Sequence, residues 1–242
     1  MEPDLSNQLA LVTGASRGIG RAIAQSLAAS GAHVFLAARN ETGLAETAQA
    51  IQQTGGTASW HVADIAREED VCTLFEAVDA EALPLAVLVN NAGIGEFGPL
   101  HELSPDRFDR VIETNLRGTF LCCREAMRRM IPRRQGTIIN IASVVGFKGY
   151  PLQSAYAASK HGVMGLTKSL AVEAQEQGIR VSAVLPGGVD SDLVRNARPD
   201  LDPTELLRPN DVAQAVQYLL SLSPRAAVDQ IYIRRRNSAP FP

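Results

Sequence analysis

The stretch that decides the fold is LALVTGASRGIGRAIAQSLAASG, from Leu9 to Gly31. It begins with a short apolar run, passes through three glycines and continues with apolar residues at helical spacing until a further glycine ends the pattern. A buried strand that turns at glycines into a helix is the first unit of a parallel α/β sheet. The sequence therefore predicts a strand, a tight glycine turn and a helix here.

The same alternation of strand and helix continues along the chain. Further apolar runs of strand length cover about residues 33–38, 57–64, 85–93, 136–143, 179–188 and 228–233. The longest helical segments between them run from about Asp106 to Met130 and from Ser154 to about Gln177. Six of the strands are near-continuous apolar runs, which is typical of strands covered on both faces. The pattern predicts one doubly wound domain over residues 1–242, with helices on both faces of a mostly parallel sheet.

Composition argues against several classes of protein. The 242 residues are 45% hydrophobic and carry a formal net charge of −3, which fits one large domain without a basic field for nucleic acid or a membrane surface. No segment approaches the roughly 18 apolar residues that a membrane helix needs, and the acidic start does not resemble a signal peptide. The three cysteines have the spacing of neither a disulfide framework nor a metal site. We expect a cytoplasmic protein without a metal.

The glycine turn is a candidate phosphate site. Gly14, Gly18 and Gly20 are spaced GxxxGxG, and not GxGxxG as in the usual dinucleotide fingerprint. Such a turn still lets a pyrophosphate approach the backbone closely and directs the helix N-terminus at it. A glycine-rich strand-to-helix turn can also be purely structural, so the loop alone leaves both interpretations open.

The end of the second strand bears on the cofactor. A site that prefers NAD usually places an acidic residue there, about 20 residues past the glycine loop. This chain has Ala37, Ala38 and Arg39 instead, and Arg17 lies within the loop. Two guanidiniums without a carboxylate suit a 2′-phosphate, because arginine binds phosphate oxygens in a bidentate manner. The sequence thus predicts NADP(H) over NAD(H), unless both arginines are solvated surface residues.

Together these residues resemble the short-chain dehydrogenase/reductase family, in particular its carbonyl reductases and 3-oxoacyl reductases, over about residues 7–190. The resemblance rests on seven features in the order of the family: TGASRGIG (13–20), Asp64, NNAG (90–93), Asn115, Ser143, YAASK (156–160) and PGGVDS (186–191). It implies a Rossmann-type sheet of seven strands in the order 3-2-1-4-5-6-7.

The resemblance also implies a role for each matching position. The catalytic tetrad falls on Asn115, Ser143, Tyr156 and Lys160. The pyrophosphate turn consists of Gly14, Ser16, Arg17, Gly18, Ile19 and Gly20. The adenosine end of the cofactor falls on Arg39, Asp64, Ile65, Asn90, Ala92 and Gly93. The nicotinamide end falls on Pro186, Gly187, Val189 and Ser191, beside Tyr156 and Lys160, and Ser191 stands where the family usually has threonine.

These residue types suit carbonyl reduction. Tyr156 would donate the proton, and Lys160 lies one helical turn away on the same face, where its charge is expected to lower the pKa of the phenol. Ser143 would donate a hydrogen bond to the substrate oxygen. Asn115 is expected to position a water that links Lys160 to solvent.

The substrate side is less clearly marked. The residues expected near the substrate are Gly95, Glu96, Phe147, Gln153 and Leu193. A short lid is expected over about residues 188–208. Many relatives have a glycine-rich segment after the last strand, whereas this chain has RRRNSAPFP, so we expect residues 234–242 to run over the surface or a partner subunit.

The favoured function is an NADP(H)-dependent oxidoreductase that acts on a small to medium ketone, aldehyde or the corresponding alcohol. One alternative is a 3-oxoacyl-acyl-carrier-protein reductase. A non-catalytic NADP(H)-binding regulator is an alternative of another class; it predicts loss of the tyrosine or lysine, and both are present. The resemblance further implies a homo-oligomer, a tetramer or a dimer, with the helices at 106–130 and 154–177 in one interface.

Overall fold

The computed structural model describes residues 3–197 and 201–240. The described residues form one parallel sheet with the strand order 3-2-1-4-5-6-7, which confirms the predicted fold class. The seven strands are β1 (Leu9–Thr13), β2 (His33–Ala38), β3 (Thr57–Val62), β4 (Leu85–Asn90), β5 (Gly136–Ile141), β6 (Ile179–Gly187) and β7 (Gln230–Arg234).

Helices connect the strands and cover both faces of the sheet. They are α1 (Gly18–Ala29), α2 (Glu41–Gln53), α3 (Glu68–Asp79), α4 (Pro105–Ile112), α5 (Gly118–Met130), α6 (Ser154–Gln175), α7 (Asp192–Ala197) and α8 (Pro209–Ser221). The single helix expected over 106–130 contains a π-helical segment, Glu113–Arg117, between α4 and α5. The apolar periodicity could not reveal this segment, which widens the helix locally at Asn115.

Alternate residues of each inner strand pack against different helices. On β1, Leu9 and Leu11 belong to a core with α3, α5 and α6, whereas Ala10 and Val12 belong to a core with α1, α2 and α8. This is the arrangement that a period-two pattern produces when both faces of a strand are apolar.

The edge strands are more exposed than the sequence suggests. Five inner strands are buried, but β3 and β7 are only partly covered, and Trp60 of β3 is 37% exposed. The prediction of six strands covered on both faces is therefore wrong, because the structure has five such strands. The reason is position, because an edge strand has a neighbour on one side only. Within residues 3–197 and 201–240, no helix is long and apolar enough to cross a bilayer.

The carboxyl ends of the strands determine where a site can form. In a parallel sheet they all lie at one edge, and ligands bind in the crevice outside that edge. Here the glycine turn follows β1, residues 91–97 follow β4, Ser143 follows β5, and the segment 188–191 follows β6. These four segments enclose one cleft.

Candidate active site

A cleft of about 1160 Å³ lies along the carboxyl edge of the sheet. The structure brings most of the predicted site residues to its lining. They are Gly14, Ser16, Arg17, Gly18, Ile19, Arg39, Asp64, Ile65, Ala92, Gly93, Ser143, Gln153, Tyr156, Lys160, Pro186, Gly187, Val189, Ser191 and Leu193. The other predicted residues lie outside the lining, which they adjoin or support: Gly20, Asn90, Gly95, Glu96, Asn115 and Phe147.

The glycine turn combines close packing with open space. Gly14 has a φ of +66°, and a Cβ there would lie 2.8 Å from the Cα of Ala92. A Cβ on Gly20 would overlap the carbonyl oxygen of Gly14, so this glycine lets α1 approach the turn. Gly18 has a φ of +55° and nothing within 4 Å of its Cβ position, so the turn leaves room in the cleft beside the start of α1.

Asn91 holds this turn in place, whereas Asn90 does not face the cleft. The Nδ2 of Asn91 donates to the carbonyl oxygens of Thr13 and Gly14 at 3.1 and 3.2 Å. Asn90 is buried under the sheet edge and donates to Asn140 Oδ1 at 2.9 Å. Its assignment to the adenosine side is therefore corrected: neighbouring residues of a strand point to opposite faces, and Asn91 is the one that reaches the cleft.

Both predicted phosphate-binding arginines lie at the cleft, and each has a carboxylate partner. Arg39 Nη1 lies 3.5 Å from Asp64 Oδ2. Arg17 forms an ion pair with Asp192, the first residue of α7, which links the glycine turn to the lid segment. The sequence did not indicate either pairing, because the partners are far apart in the chain.

Ser143, Tyr156 and Lys160 converge at the other end of the cleft. Ser143 follows β5, and Tyr156 and Lys160 share one face of α6, with 9% and 5% of their surfaces exposed. Lys160 Nζ donates to the carbonyl oxygen of Ile141 at 2.9 Å and lies 5.8 Å from the centroid of the Tyr156 ring. The Phe97 ring packs against the Tyr156 ring in a T-shaped arrangement, with the centroids 6.0 Å apart.

Burial dominates the acidity of this pair. It raises the pKa of Tyr156 to about 12, against the opposing effect of hydrogen bonding with Ser143. It also lowers the pKa of Lys160 to about 8. The predicted lowering of the tyrosine pKa by Lys160 is therefore wrong for this structure, because desolvation is the largest influence on the phenol and the Lys160 ammonium group donates to the carbonyl oxygen of Ile141 instead.

Asn115 supports the site from the π-helical segment. Its Nδ2 donates to the carbonyl oxygen of Ile94 at 2.9 Å, and its Oδ1 accepts a hydrogen bond from the backbone nitrogen of Ile94 at 2.8 Å. Nδ2 also donates to Ser159 Oγ at 3.0 Å. Asn115 thus joins the segment after β4 to helix α6, where its partner Ser159 lies between Tyr156 and Lys160 in the sequence. The water that it was expected to position stays a prediction.

The substrate end of the cleft differs from the prediction at three positions. The carboxylate of Glu96 is held by Arg107 at 3.0 Å and Arg110 at 2.6 Å, away from the cleft. Gly95 is covered by the ring of Phe97. Phe147 packs against the ring of Tyr232 in a T-shaped arrangement, with the centroids 5.5 Å apart. Gln153 and Leu193 do line the cleft, in a wall completed by Phe97, Tyr150, Val145 and Tyr232.

The last residue of β7 and residues that follow it also line the cleft, a position that the sequence did not lead us to expect. They are Arg234, Arg235, Ser238 and Ala239. The sequence did contain a signal for this position, because a last strand that runs parallel to the others must end at the same edge of the sheet as the site. The predicted lid segment contains α7 and a short turn at Pro203–Glu205, and its residues 198–200 lie outside the described part of the chain, as do tail residues 241–242.

Comparison with known proteins identifies the family. The model of the family described as short chain dehydrogenase matches residues 8–202. The chain is a short-chain dehydrogenase.

Relatives of this short-chain dehydrogenase are similar over nearly their whole length. It is 40% identical to a cis-4-hydroxycyclohexanecarboxylate dehydrogenase of Sinomonas cyclohexanicum, over 89% of this chain and 90% of the relative. It is 41% identical to the 3-oxoacyl-acyl-carrier-protein reductase FabG of Staphylococcus aureus, over 88% and 90%. A metagenomic short-chain oxidoreductase solved in complex with NADP superposes with a TM-score of 0.85 at 37% identity, over 96% and 98% of the two chains.

Family membership makes the protein an oxidoreductase that acts on alcohol or carbonyl groups. The lining of the cleft in this short-chain dehydrogenase has the chemistry that a nicotinamide dinucleotide requires. Its glycine turn leaves open space at Gly18, where a phosphate needs close approach, and Arg39 lies beyond it. Among residues 3–197 and 201–240, no group of three or more His, Cys, Asp or Glu side chains could hold a metal.

Proposed function

We propose that this short-chain dehydrogenase is an NADP(H)-dependent oxidoreductase that interconverts a ketone or aldehyde and the corresponding alcohol, with Tyr156 as general acid and base. One observation carries the proposal. Ser143, Tyr156 and Lys160 converge, all buried, at one end of a cleft whose other end is formed by the glycine turn and Arg39.

In the proposed reaction the cofactor supplies a hydride to the carbonyl carbon when it is bound. Tyr156 gives its phenolic proton to the carbonyl oxygen, and the Ser143 hydroxyl donates a hydrogen bond to the same oxygen. Tyr156 then regains its proton from the side of the cleft where Lys160 lies. In the direction of alcohol oxidation, Tyr156 accepts the proton instead.

The acidity of Tyr156 sets the energy that this step requires. Removing a proton from a phenol with a pKa of about 12 costs about 7 kcal/mol at pH 7. Lys160, whose pKa of about 8 leaves it mostly protonated at neutral pH, does not reduce this cost in the structure, because its ammonium group donates to the carbonyl oxygen of Ile141. The energy has to come from the proton affinity of the reacting oxygen.

We propose NADP(H) over NAD(H) as the cofactor. Arg39 follows β2 at the position where a carboxylate would favour NAD, and it lies at the cleft. Arg39→Asp should shift the ratio of kcat/KM with NADPH to kcat/KM with NADH towards NADH by at least about tenfold, because one charge-assisted contact to the 2′-phosphate is lost. The exposed Arg67, outside the cleft, offers the matched control Arg67→Asp. An unchanged ratio in Arg39→Asp would exclude Arg39 as the phosphate ligand.

The relatives support two kinds of substrate within this reaction class. The similarity to a cis-4-hydroxycyclohexanecarboxylate dehydrogenase favours a cyclic alcohol or ketone, and the similarity to FabG favours a 3-oxoacyl thioester. The arginines that replace a glycine-rich segment after β7 weigh against simple transfer of the second function. A non-catalytic NADP(H)-binding regulator has no support from the site, since all four residues of the tetrad are present.

The test of the proposed function is a turnover screen with the purified protein. NADPH oxidation is followed with ketones, aldehydes and 3-oxoacyl thioesters, and NADP⁺ reduction is followed with the corresponding alcohols and hydroxy acids. We expect turnover with at least one carbonyl class. Tight NADPH binding without turnover of any panel member would contradict the proposal and favour the regulator.

We also propose that the protein is a cytoplasmic homo-oligomer, a tetramer or a dimer. Helices α4, α5 and α6 carry the exposed apolar side chains Phe108, Phe120 and Val172, which a subunit contact would cover. The three cysteines Cys72, Cys122 and Cys123 are free thiols, as is usual in a reducing compartment.

A further inference from the structure

We propose that Arg235 binds an acidic group of the substrate, so that this enzyme acts on an alcohol or carbonyl compound that also carries a carboxylate. The proposal rests on the proposed function for the reaction at Tyr156, and it adds the substrate class. Four features of the region around β7 carry it.

The first feature is the position of Arg235. In the sheet, Arg234 at the end of β7 pairs with Gly187 at the end of β6, so Arg235 leaves the sheet at the carboxyl edge. Its side chain lies against Gly188, with Cδ 3.0 Å and Nε 3.1 Å from where a Cβ on that glycine would be. The glycine therefore makes room for the guanidinium group in the lining of the cleft.

The second feature is how little this guanidinium is paired. The Arg235 side chain is only 17% exposed, and within the described part of the chain it donates no hydrogen bond to a protein group. The carboxylate within reach there is Glu205, at 4.0 Å and half exposed. Arginine has five N–H donors, and charges that are mostly buried are normally paired. An acid from a ligand would complete this site.

The third feature is the rigidity of the segment that carries Arg235. The Nη1 of Arg234 donates to three carbonyl oxygens of the following turn: Arg235 at 3.1 Å, Arg236 at 3.0 Å and Ser238 at 2.7 Å. Ser238 closes the turn by donating from its backbone nitrogen and hydroxyl to the Arg235 oxygen. This arrangement fixes the backbone of Arg235 before a ligand arrives, which lowers the entropy lost on binding.

The fourth feature is the distribution of charge in the cleft. Among the described residues, the three acids of the lining each pair with an arginine, in the ion pairs Arg17–Asp192, Arg39–Asp64 and Arg195–Asp190. Four cations remain beyond these pairs: Lys148, Lys160, Arg234 and Arg235. Lys148 follows β5, Lys160 lies within α6, and the two arginines lie at and after the end of β7, at the end of the cleft away from the glycine turn. In a protein with a net charge of −3, this excess favours an anionic substrate there.

The test compares two aromatic ligands that share a shape and differ in charge, benzoate and benzamide. Their dissociation constants are measured by calorimetry with the NADP⁺ complex of the wild type, Arg235→Gln and Arg236→Gln. Arg236 is the exposed neighbour outside the cleft and serves as the matched control. We expect benzoate to bind at least about tenfold tighter than benzamide to the wild type and to Arg236→Gln, and the difference to disappear in Arg235→Gln.

Three results would overturn the proposal. The first is equal binding of benzoate and benzamide to the wild type, and the second is a preference for benzoate that persists in Arg235→Gln. The third is a loss of NADP⁺ affinity in Arg235→Gln beyond about threefold, which would assign the arginine to the cofactor. Failure of the proposed function gives a different result. The preference for benzoate would then still depend on Arg235, but the protein would turn over no neutral or acidic carbonyl compound with NADPH.

Discussion

Burial shifts the pKa values of Tyr156 and Lys160 towards the neutral form of each group, raising that of the phenol to about 12 and lowering that of the ammonium group to about 8. At neutral pH the phenol is therefore neutral, and Lys160 is mostly protonated and donates to the carbonyl oxygen of Ile141. A buried charge that is paired only with a neutral group costs stability. This is expected of groups whose pKa values serve a reaction.

The lowered pKa of Lys160 predicts how stability depends on pH. Between its folded value of about 8 and its ordinary value of 10.5, the unfolded chain binds more protons, so the free energy of unfolding should rise with pH. The contribution of Lys160 to this rise is about 3 kcal/mol at most. Lys160→Met should remove it, whereas Lys168→Met, at an exposed position of the same helix, should keep it. Denaturant unfolding from pH 8 to pH 10 measures the slopes, and equal slopes in wild type and Lys160→Met would contradict the pKa.

The glycine turn and helix α1 form the element on which we expect cofactor binding to depend. Gly20 allows the first turn of α1 to pack against the carbonyl oxygen of Gly14, and the Nδ2 of Asn91 donates to the same carbonyl oxygen. Because the contact involves backbone atoms, neither partner can yield without moving a strand end. The turn is thus rigid before any phosphate arrives.

Gly20→Ala should therefore lower the free energy of unfolding by about 1–3 kcal/mol, as overpacking does in well-packed cores, and should also weaken NADPH binding. Gly165→Ala is the matched control. Gly165 lies within α6 with nothing within 4 Å of its Cβ position, so alanine there should be neutral or stabilising by up to about 1 kcal/mol. Thermal unfolding and NADPH titration of both variants measure the effect. A Gly20→Ala protein as stable as Gly165→Ala would show that α1 can shift without cost.

The elements were largely predictable because the strands and glycine turns are local patterns. Alternating apolar runs predict the parallel sheet, and the sheet in turn places Ser143, Tyr156 and Lys160 at one edge. What local patterns lack is pairing across the chain. The choice of Asn91 over Asn90, the arginines around Glu96 and the burial that raises the pKa of Tyr156 all depend on packing between distant segments. The position of Arg235 at the cleft follows from the parallel sheet, but it could be located only with the register of β7 against β6.

At the scale of the whole molecule, the described surface leaves apolar side chains on the helices that cover one face of the sheet. Phe120 on α5 is 45% exposed, and Val172 on α6 is 70% exposed. Helix α6 carries Tyr156 and Lys160 in buried positions, and Asn115 lies buried in the π-helical segment directly before α5. An interface there would brace these helices from outside.

Phe120→Glu should therefore reduce the oligomer to smaller species, because a carboxylate would be buried without a partner in the interface. Tyr218→Glu is the matched control, since Tyr218 is 53% exposed on α8, which covers the other face. Sedimentation velocity reports the mass of each variant. A Phe120→Glu protein with the mass of the wild type would place the interface elsewhere, and a monomeric wild type would contradict the proposed oligomer.

The central claim is that Tyr156 transfers the proton, and turnover by Tyr156→Phe tests it most directly. The variant keeps the ring that packs against Phe97 and loses only the hydroxyl. We predict a fall in kcat of at least about a hundredfold with the NADPH dissociation constant within about threefold of wild type, whereas Tyr150→Phe, the same change elsewhere in the cleft, keeps most of the activity. Turnover by Tyr156→Phe within about tenfold of the wild type would contradict the assignment.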